Sequence, residues 1–359
     1  MKKLFVLLGA VVLVVAFTAP AFAAEWSFFG SARMSMFWTS RDLGDFEDAA
    51  GDDTDSDMLH ALQGNSRIGA NVKAGDNLVG GFEYGTGVNV RKLFGEYDFG
   101  GFKLKVGQDY SPVNYFLSNQ VVASDNDMLN YGGIYGGRNG MVQARIGDFK
   151  FALVSPQSST NVTDPINNVS YGAFETDISW PKLEASWAFN FGGFSGKVMG
   201  GYNQYKIVAP DRDETVDSYI LGLGLKWDMG PFYAGGDVYI GQNTGNYGIY
   251  TSGPSAVAGW DSVDEKLVDS DAWGWLFVIG FKMSDMFAFE GGLGSAYFDY
   301  DVSGADSANI SAWYVQASIN FAKGVFIVPE IGQVDNGDDL SGNDIGKNTY
   351  YGLKWQINF

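Results

Sequence analysis

The chain has 359 residues, a formal net charge of −19, no cysteine and one histidine. Those counts exclude a disulfide framework, a thiolate metal site and a cysteine nucleophile, and they argue against a nucleic-acid partner. Glycine at 49 residues and aromatics at 16% point instead to closely packed, twisted strands with aromatic girdles.

In chain order, residues 1–23 form a targeting segment. Lys2 and Lys3 supply a positive start, residues 4–17 are almost unbroken apolar, and Ala21-Phe22-Ala23 is a small-x-small cleavage signal. Removal of this secretory signal peptide leaves a mature chain, residues 24–359, with a net charge of −21. It contains no apolar run of eighteen residues, so helical membrane spanning is excluded.

The mature chain then breaks at turn signals of two kinds. Short ones stand at Gly75-Asp76-Asn77, Gly100-Gly101, Gly147-Asp148, Gly192-Gly193, Gly230-Pro231, Ser284-Asp285 and Lys323-Gly324. Gly, Asn and Asp permit such two- or three-residue hairpin connections. Longer, mostly polar ones fall at 41–57, 85–89, 109–138, 156–180, 210–215, 243–271, 301–309 and 335–348. Fifteen connections predict sixteen strands, with both termini on the side of the tight turns. Short turns at one end and long loops at the other are the pattern of a bacterial outer-membrane barrel.

The strands themselves alternate. In residues 219–227, Tyr219, Leu221, Leu223, Leu225 and Trp227 share one face, opposite Ile220, Gly222, Gly224 and Lys226. Trp273, Trp275, Phe277, Ile279 and Phe281 form another such face, as do Trp313, Val315, Ala317, Ile319 and Phe321. The last eleven residues, TYYGLKWQINF, put Tyr351, Leu353, Trp355, Ile357 and Phe359 outward against Tyr350, Gly352, Lys354, Gln356 and Asn358. About ten alternating residues suit a tilted strand crossing a bilayer. Aromatics also flank the tight turns, as at Phe99 and Phe102, Phe191 and Phe194, and Trp227 and Phe232, where an inner interface would lie.

Between residues 64 and 113 the chain resembles general Gram-negative trimeric porins. The carriers are Gly64-Asn65-Ser66-Arg67-Ile68-Gly69, Gly75-Asp76-Asn77-Leu78, Gly81-Phe82-Glu83-Tyr84, Phe94-Gly95-Glu96-Tyr97 and residues 100–108, GGFKLKVGQ. The terminal Phe359 matches that family's closing strand, which its outer-membrane assembly machinery recognises; Tyr351, Leu353, Trp355, Ile357 and Phe359 are thus the expected assembly signal. The resemblance implies an all-β, sixteen-stranded, up-and-down transmembrane barrel with its third loop folded into the lumen. It also implies a homotrimer in the outer membrane, in contact with lipid and lipopolysaccharide, passing small hydrophilic solutes and ions.

Sixteen strands leave an aqueous channel where eight leave room only for side chains. The third loop, residues 109–138, is too long to be idle; it carries Asp109, Asp125 and Asp127 and no base before Arg138. Parity puts Arg33, Arg67, Lys92, Lys103 and Lys105 on the lumen face, the first three at about one height. The expectation is a constriction with a basic wall facing an acidic loop, which would select ions by sign and orient polar solutes.

Other motifs carry less. Residues 53–57 begin like a calcium loop, but Met58 replaces the required glycine and Gly64 the bidentate glutamate. The surrounding acids read as a solvated face, and neither a resident metal nor a cofactor is expected. His60 alone makes a Ser-His triad improbable; Glu290 and Glu330 read as wall charges, and no catalysis is expected. Small outward residues on the first strands, Gly30, Ala32, Ala70, Ala74, Gly80 and Gly95, suit contact with partner subunits, whereas bulky ones on strands ten to fourteen suit lipid. The reading is a general diffusion porin. A solute-specific channel with Tyr233, Tyr239 and Tyr314 as a stacking track, and a barrel with an enzymatic or surface-binding role, are the alternatives.

Overall fold

A strand needs hydrogen-bonded partners on both edges, and a sheet that closes on itself leaves no edge unpaired. The computed structural model describes residues 24–46, 54–165, 169–171, 175–208, 213–250, 256–302 and 304–359. The expected signal segment and the middle of the first loop, residues 47–53, lie outside the described residues.

Sixteen antiparallel strands form one closed sheet. They are β1 (Glu25–Asp42), β2 (Thr54–Leu62, resuming as Arg67–Lys73), β3 (Leu78–Gly85), β4 (Val90–Asp98), β5 (Lys103–Tyr110), β6 (Arg138–Ile146), β7 (Phe149–Val154) and β8 (Glu175–Asp177, resuming as Lys182–Phe191). Then follow β9 (Phe194–Val208), β10 (Asp213–Met229), β11 (Phe232–Gln242), β12 (Ser270–Lys282), β13 (Phe287–Tyr300), β14 (Ala308–Ala322), β15 (Val325–Asp335) and β16 (Lys347–Asn358). Each pairs with its sequence neighbours, and β1 closes on β16 from Ser31↔Asn358 to Asp42↔Lys347. All seven expected tight turns join consecutive strands. The strands run further toward the long loops than expected: β1 continues through Asp42 and β2 begins at Thr54. Ladder bonds do not require apolar side chains, so polarity alone does not end a strand.

The two faces sort as the alternation predicts. Trp273, Phe277, Ile279, Trp313 and Val315 are exposed, while the residues between them are covered. Beside the tight turns Phe99 stacks on Phe102, Phe194 on Trp227 and Phe232 on Phe281, with ring centroids 4.8, 5.0 and 4.5 Å apart. At the opposite end, Val162–Thr163, Ser170–Tyr171, Gly259–Asp261 and Lys266–Val268 make a small second sheet. Its Val162 and Ala258 pack on Tyr205, Ile207 and Val216 of β9 and β10. Two small outward positions are not open: Gly30 is covered by the terminal ring, and Ala70 stands in register between Phe28 and Phe82 and is fully buried, so neither offers surface to a partner.

The closing seam has its own device. Gly30 and Phe359 exchange N–H···O bonds of 2.7 and 3.0 Å, and a Cβ on Gly30 would lie 2.4 Å from the Phe359 ring. The absent side chain is what seats the terminal ring. Gly30→Val is expected to lower the folded fraction seen by heat-modifiable gel mobility, whereas Ala32→Val, on the exposed outer face, is not. Equal folding of the two variants would refute the seat.

Candidate functional site

Glycine on the polar face of β10 and β11 exposes bare backbone, and the long connection between β5 and β6 lies on it. A Cβ at Gly224 would come within 2.4 Å of the Tyr115 ring, and one at Gly235 within 2.6 Å of the Leu117 side chain. Residues 114–115 and 134–135 of this connection pair as a two-stranded ribbon. Beyond it the backbone has few N–H partners of its own, and buried N–H groups must find acceptors.

Carboxylates on the inward face supply them. Val113 N–H donates to Glu184 Oε2 of β8 at 3.0 Å, and Asn119 N–H to Glu290 Oε1 of β13 at 2.8 Å. Val121 and Val122 N–H donate to the two oxygens of Glu330 on β15, at 2.7 and 3.0 Å. Glu290 also accepts from the hydroxyls of Tyr233 and Tyr314. Glu290 and Glu330, expected as wall charges, are therefore anchors for backbone. Of the expected aromatic track, Tyr239 and Tyr314 are almost wholly buried, and only Tyr233 reaches the cavity.

The tip of the connection docks where β2 is interrupted, at residues 63–66. Gln63 Nε2 donates to Val121 O at 2.8 Å, Gly64 N–H to Ser124 Oγ at 3.1 Å, and Asn65 Nδ2 to Ser124 O. Arg33 of β1 and Lys354 of β16 both bind Asp125, the latter at 2.9 Å. Ala123, Ser124 and Asp125 hold φ of 50°, 66° and 59°, a conformation that non-glycine residues rarely adopt. Such strain persists only where the surroundings over-determine it, and the Asp125 bridge with the β2 notch does so here. Asp127, two residues along, is half-buried, and desolvation followed by the neighbouring Asp125 charge pushes its carboxyl well up.

The predicted site residues divide. Arg33 and Asp125 meet directly instead of facing each other across a gap. Arg67 lies 3.4 Å from Glu83. Asp109 is a wall residue on β5, not part of the connection's tip; it takes Lys105 at 2.6 Å and Lys92 at 3.3 Å. Lys103 sits beside a tight turn, paired with Asp98 at 3.1 Å, away from the residues that line the cavity between the connection and the wall. Sequence parity missed Arg91, which binds Glu83 at 2.6 Å. The cause is a bulge: Lys92 pairs with Glu83 and Val90 with Tyr84, so Arg91 is an extra residue that breaks the two-residue rhythm. Arg138 was legible only as the end of the long connection; it donates to the Tyr110 hydroxyl at 3.1 Å.

Between the connection and the wall remains a cavity of about 820 Å³. Arg33, Arg67, Arg91, Arg138 and Lys354 line it together with Asp125, Asp127 and Glu290. Four rings, Tyr110, Phe116, Tyr135 and Tyr250, meet edge to face or tilted at one side of it.

Glu330→Ala would leave two amide N–H groups without their acceptor, at a cost of about 3 kcal/mol. The expected outcome is a barrel that still folds but gives a noisier single-channel current in a planar bilayer. A trace as quiet as the unaltered protein's would argue against the anchor.

No protein-family model and no curated protein matches the sequence. Solved structures do match. The outer-membrane channel DcaP of Acinetobacter baumannii aligns with a TM-score of 0.71 at 17% identity, over 94% of this chain and 97% of that one. The trimer form of in-vitro folded OmpT, an outer-membrane protein of Vibrio cholerae, aligns at 0.57 and 14%, over 94% and 100%. OmpF of Salmonella typhi in complex with daunomycin aligns at 0.57 and 13%, over 92% and 97%. With sixteen strands closed by β1 on β16, the chain has the fold of the outer-membrane porins.

Proposed function

We propose that this chain is an outer-membrane porin that lets ions and small hydrophilic solutes diffuse passively, without catalysis or cofactor. The carrying observation is the charged cavity of about 820 Å³ between residues 111–137 and the basic wall. In this reading the connection is a third loop folded into the lumen as the constriction. Residues 1–23 are removed on export, Tyr351, Leu353, Trp355, Ile357 and Phe359 address the chain to the assembly machinery, and the exposed apolar belt faces lipid. The edge-to-face rings beside Arg138 favour a second reading, a solute-specific channel, in which one solute would dwell at the cavity.

The subunits are proposed to associate as a trimer through β1 and its neighbours, where Ala32 and Gly95 are outward, small and exposed.

Planar-bilayer recording of the purified protein tests the channel. Large ohmic steps are expected, and a protein that inserts but never conducts would overturn the reading. Block by one solute at low concentration would select the solute-specific alternative. A cysteine at Ala32 is expected to cross-link subunits, and cross-linking from Leu223 alone would reverse the interface.

A further inference from the structure

The inward wall is divided by what covers it. Apart from a bond between Asn139, at the start of β6, and the Gly136 carbonyl, residues 111–137 make their side-chain hydrogen bonds to β8, β9, β13, β14, β15, β16, β1 and the notch in β2. Among the described residues no hydrogen bond joins them to β3 or β4. The arc from the second half of β2 to β7, which the connection touches only at its long-loop end through Tyr110, carries Arg67, Lys92, Lys105, Arg145 and Lys150 together with a buried Arg91.

Acids on that arc are outnumbered and engaged. Glu83 is shared by Arg67 and Arg91, Asp109 by Lys92 and Lys105, Glu96 also faces Lys105 at 3.8 Å, and Asp98 holds Lys103. Toward the tight turns Arg145 and Lys150 stand directly opposite each other across the β6–β7 ladder. Like charges so placed repel, yet among the described residues neither forms an ion pair. Arg145 Nε donates only to the Gly147 carbonyl, at 3.1 Å. Lys197, on β9, donates to the Asn114 carbonyl at 2.8 Å and likewise has no carboxylate partner among the described residues. Six cationic side chains against three carboxylates line the cavity above, counting Lys282 at its edge. Of those three, Asp125 is bridged by two cations and Glu290 is occupied by hydroxyls and an amide.

The acids that make the whole chain negative lie elsewhere. Asp45, Asp338, Asp339 and Asp344 stand on the long-loop end, beyond the start of β16 at Lys347. Lys354 is seven residues further along that strand. At about 3.3 Å per residue and a tilt near 40° the separation is about 18 Å, more than two Debye lengths of about 8 Å at physiological salt. Their field is screened before it reaches the cavity.

Resting on the channel reading above, we propose that the pore prefers anions: the basic arc, continued by Arg145, Lys150 and Lys197, forms a track for small inorganic and carboxylate anions through an otherwise acidic protein. The unpaired cations await a mobile partner, and a solute anion passing along the wall provides it.

The test is reversal potential in a tenfold KCl gradient across a planar bilayer. Chloride is expected to permeate better than potassium. The triple variant Arg145→Gln, Lys150→Gln, Lys197→Gln, confirmed as folded by heat-modifiable mobility, is expected to bring the permeability ratio toward unity while still conducting. Asp338→Asn with Asp339→Asn is expected to leave the ratio unchanged. Ohmic steps with potassium preferred, or a triple variant with an unchanged ratio, would overturn the anion track and leave the channel standing. Absence of any conductance would overturn the channel and the track together.

Discussion

Complete pairing of backbone N–H and C=O groups is the constraint on which the rest of this molecule depends. A sheet whose outer face is apolar cannot leave an edge, because an unpaired strand in an apolar setting forfeits every ladder bond with no water to replace it. The twelve-residue ladder between β1 and β16 removes that edge. Once the ring is closed, side-chain alternation follows with no further instruction: one parity looks out, the other in. The seam at Gly30 shows how finely the closure is fitted, since the chain's last ring occupies the space where a side chain would stand.

The same rule, applied inside, organises the inward face. A 27-residue connection brings backbone N–H groups into a confined space, and four of them are satisfied by Glu184, Glu290 and Glu330. A carboxylate so engaged no longer presents its charge to passing ions in full, because its lone pairs are directed at amides. Asp125 is consumed differently, as the meeting point of Arg33 and Lys354. Acidic side chains beneath the connection thus hold the polypeptide in place, while on the opposite arc Glu83 and Asp109 are taken up by Arg67, Arg91, Lys92 and Lys105.

Much of the architecture was legible because the two-residue rhythm is enforced sixteen times by the same energetics. Turn residues such as Gly100-Gly101 and Gly147-Asp148 mark the strand ends, and the alternation at Trp273 to Phe281 declares its outer face. The site was less legible, for reasons that are local. Arg91 turns inward through a bulge, which no parity count contains. Asp109 reads as loop because its strand ends in polar residues, although the ladder with β6 reaches Tyr110↔Arg138. Lys103 obeys parity but stands at the wrong height, beside Asp98. The roles of Glu290 and Glu330 depend on partners 171 and 209 residues away in sequence, a pairing that only the fold brings about.

Why carboxylates face the seated connection follows from which backbone atoms are costly to strand. A carbonyl oxygen has two lone pairs and tolerates partial satisfaction, whereas a buried N–H has one proton and needs one acceptor. A connection laid against a wall therefore demands acceptors from it, and Asp and Glu offer acceptors only. Wall that carries no such load is released from the demand, and Arg and Lys, which only donate, can occupy it without opposing any backbone group. Cations on the covered side find acceptors too: Lys197 binds the carbonyl of Asn114, and Arg33 and Lys354 bind the connection's own Asp125. The placement of Glu184, Glu290 and Glu330 is thus a consequence of seating one segment of chain.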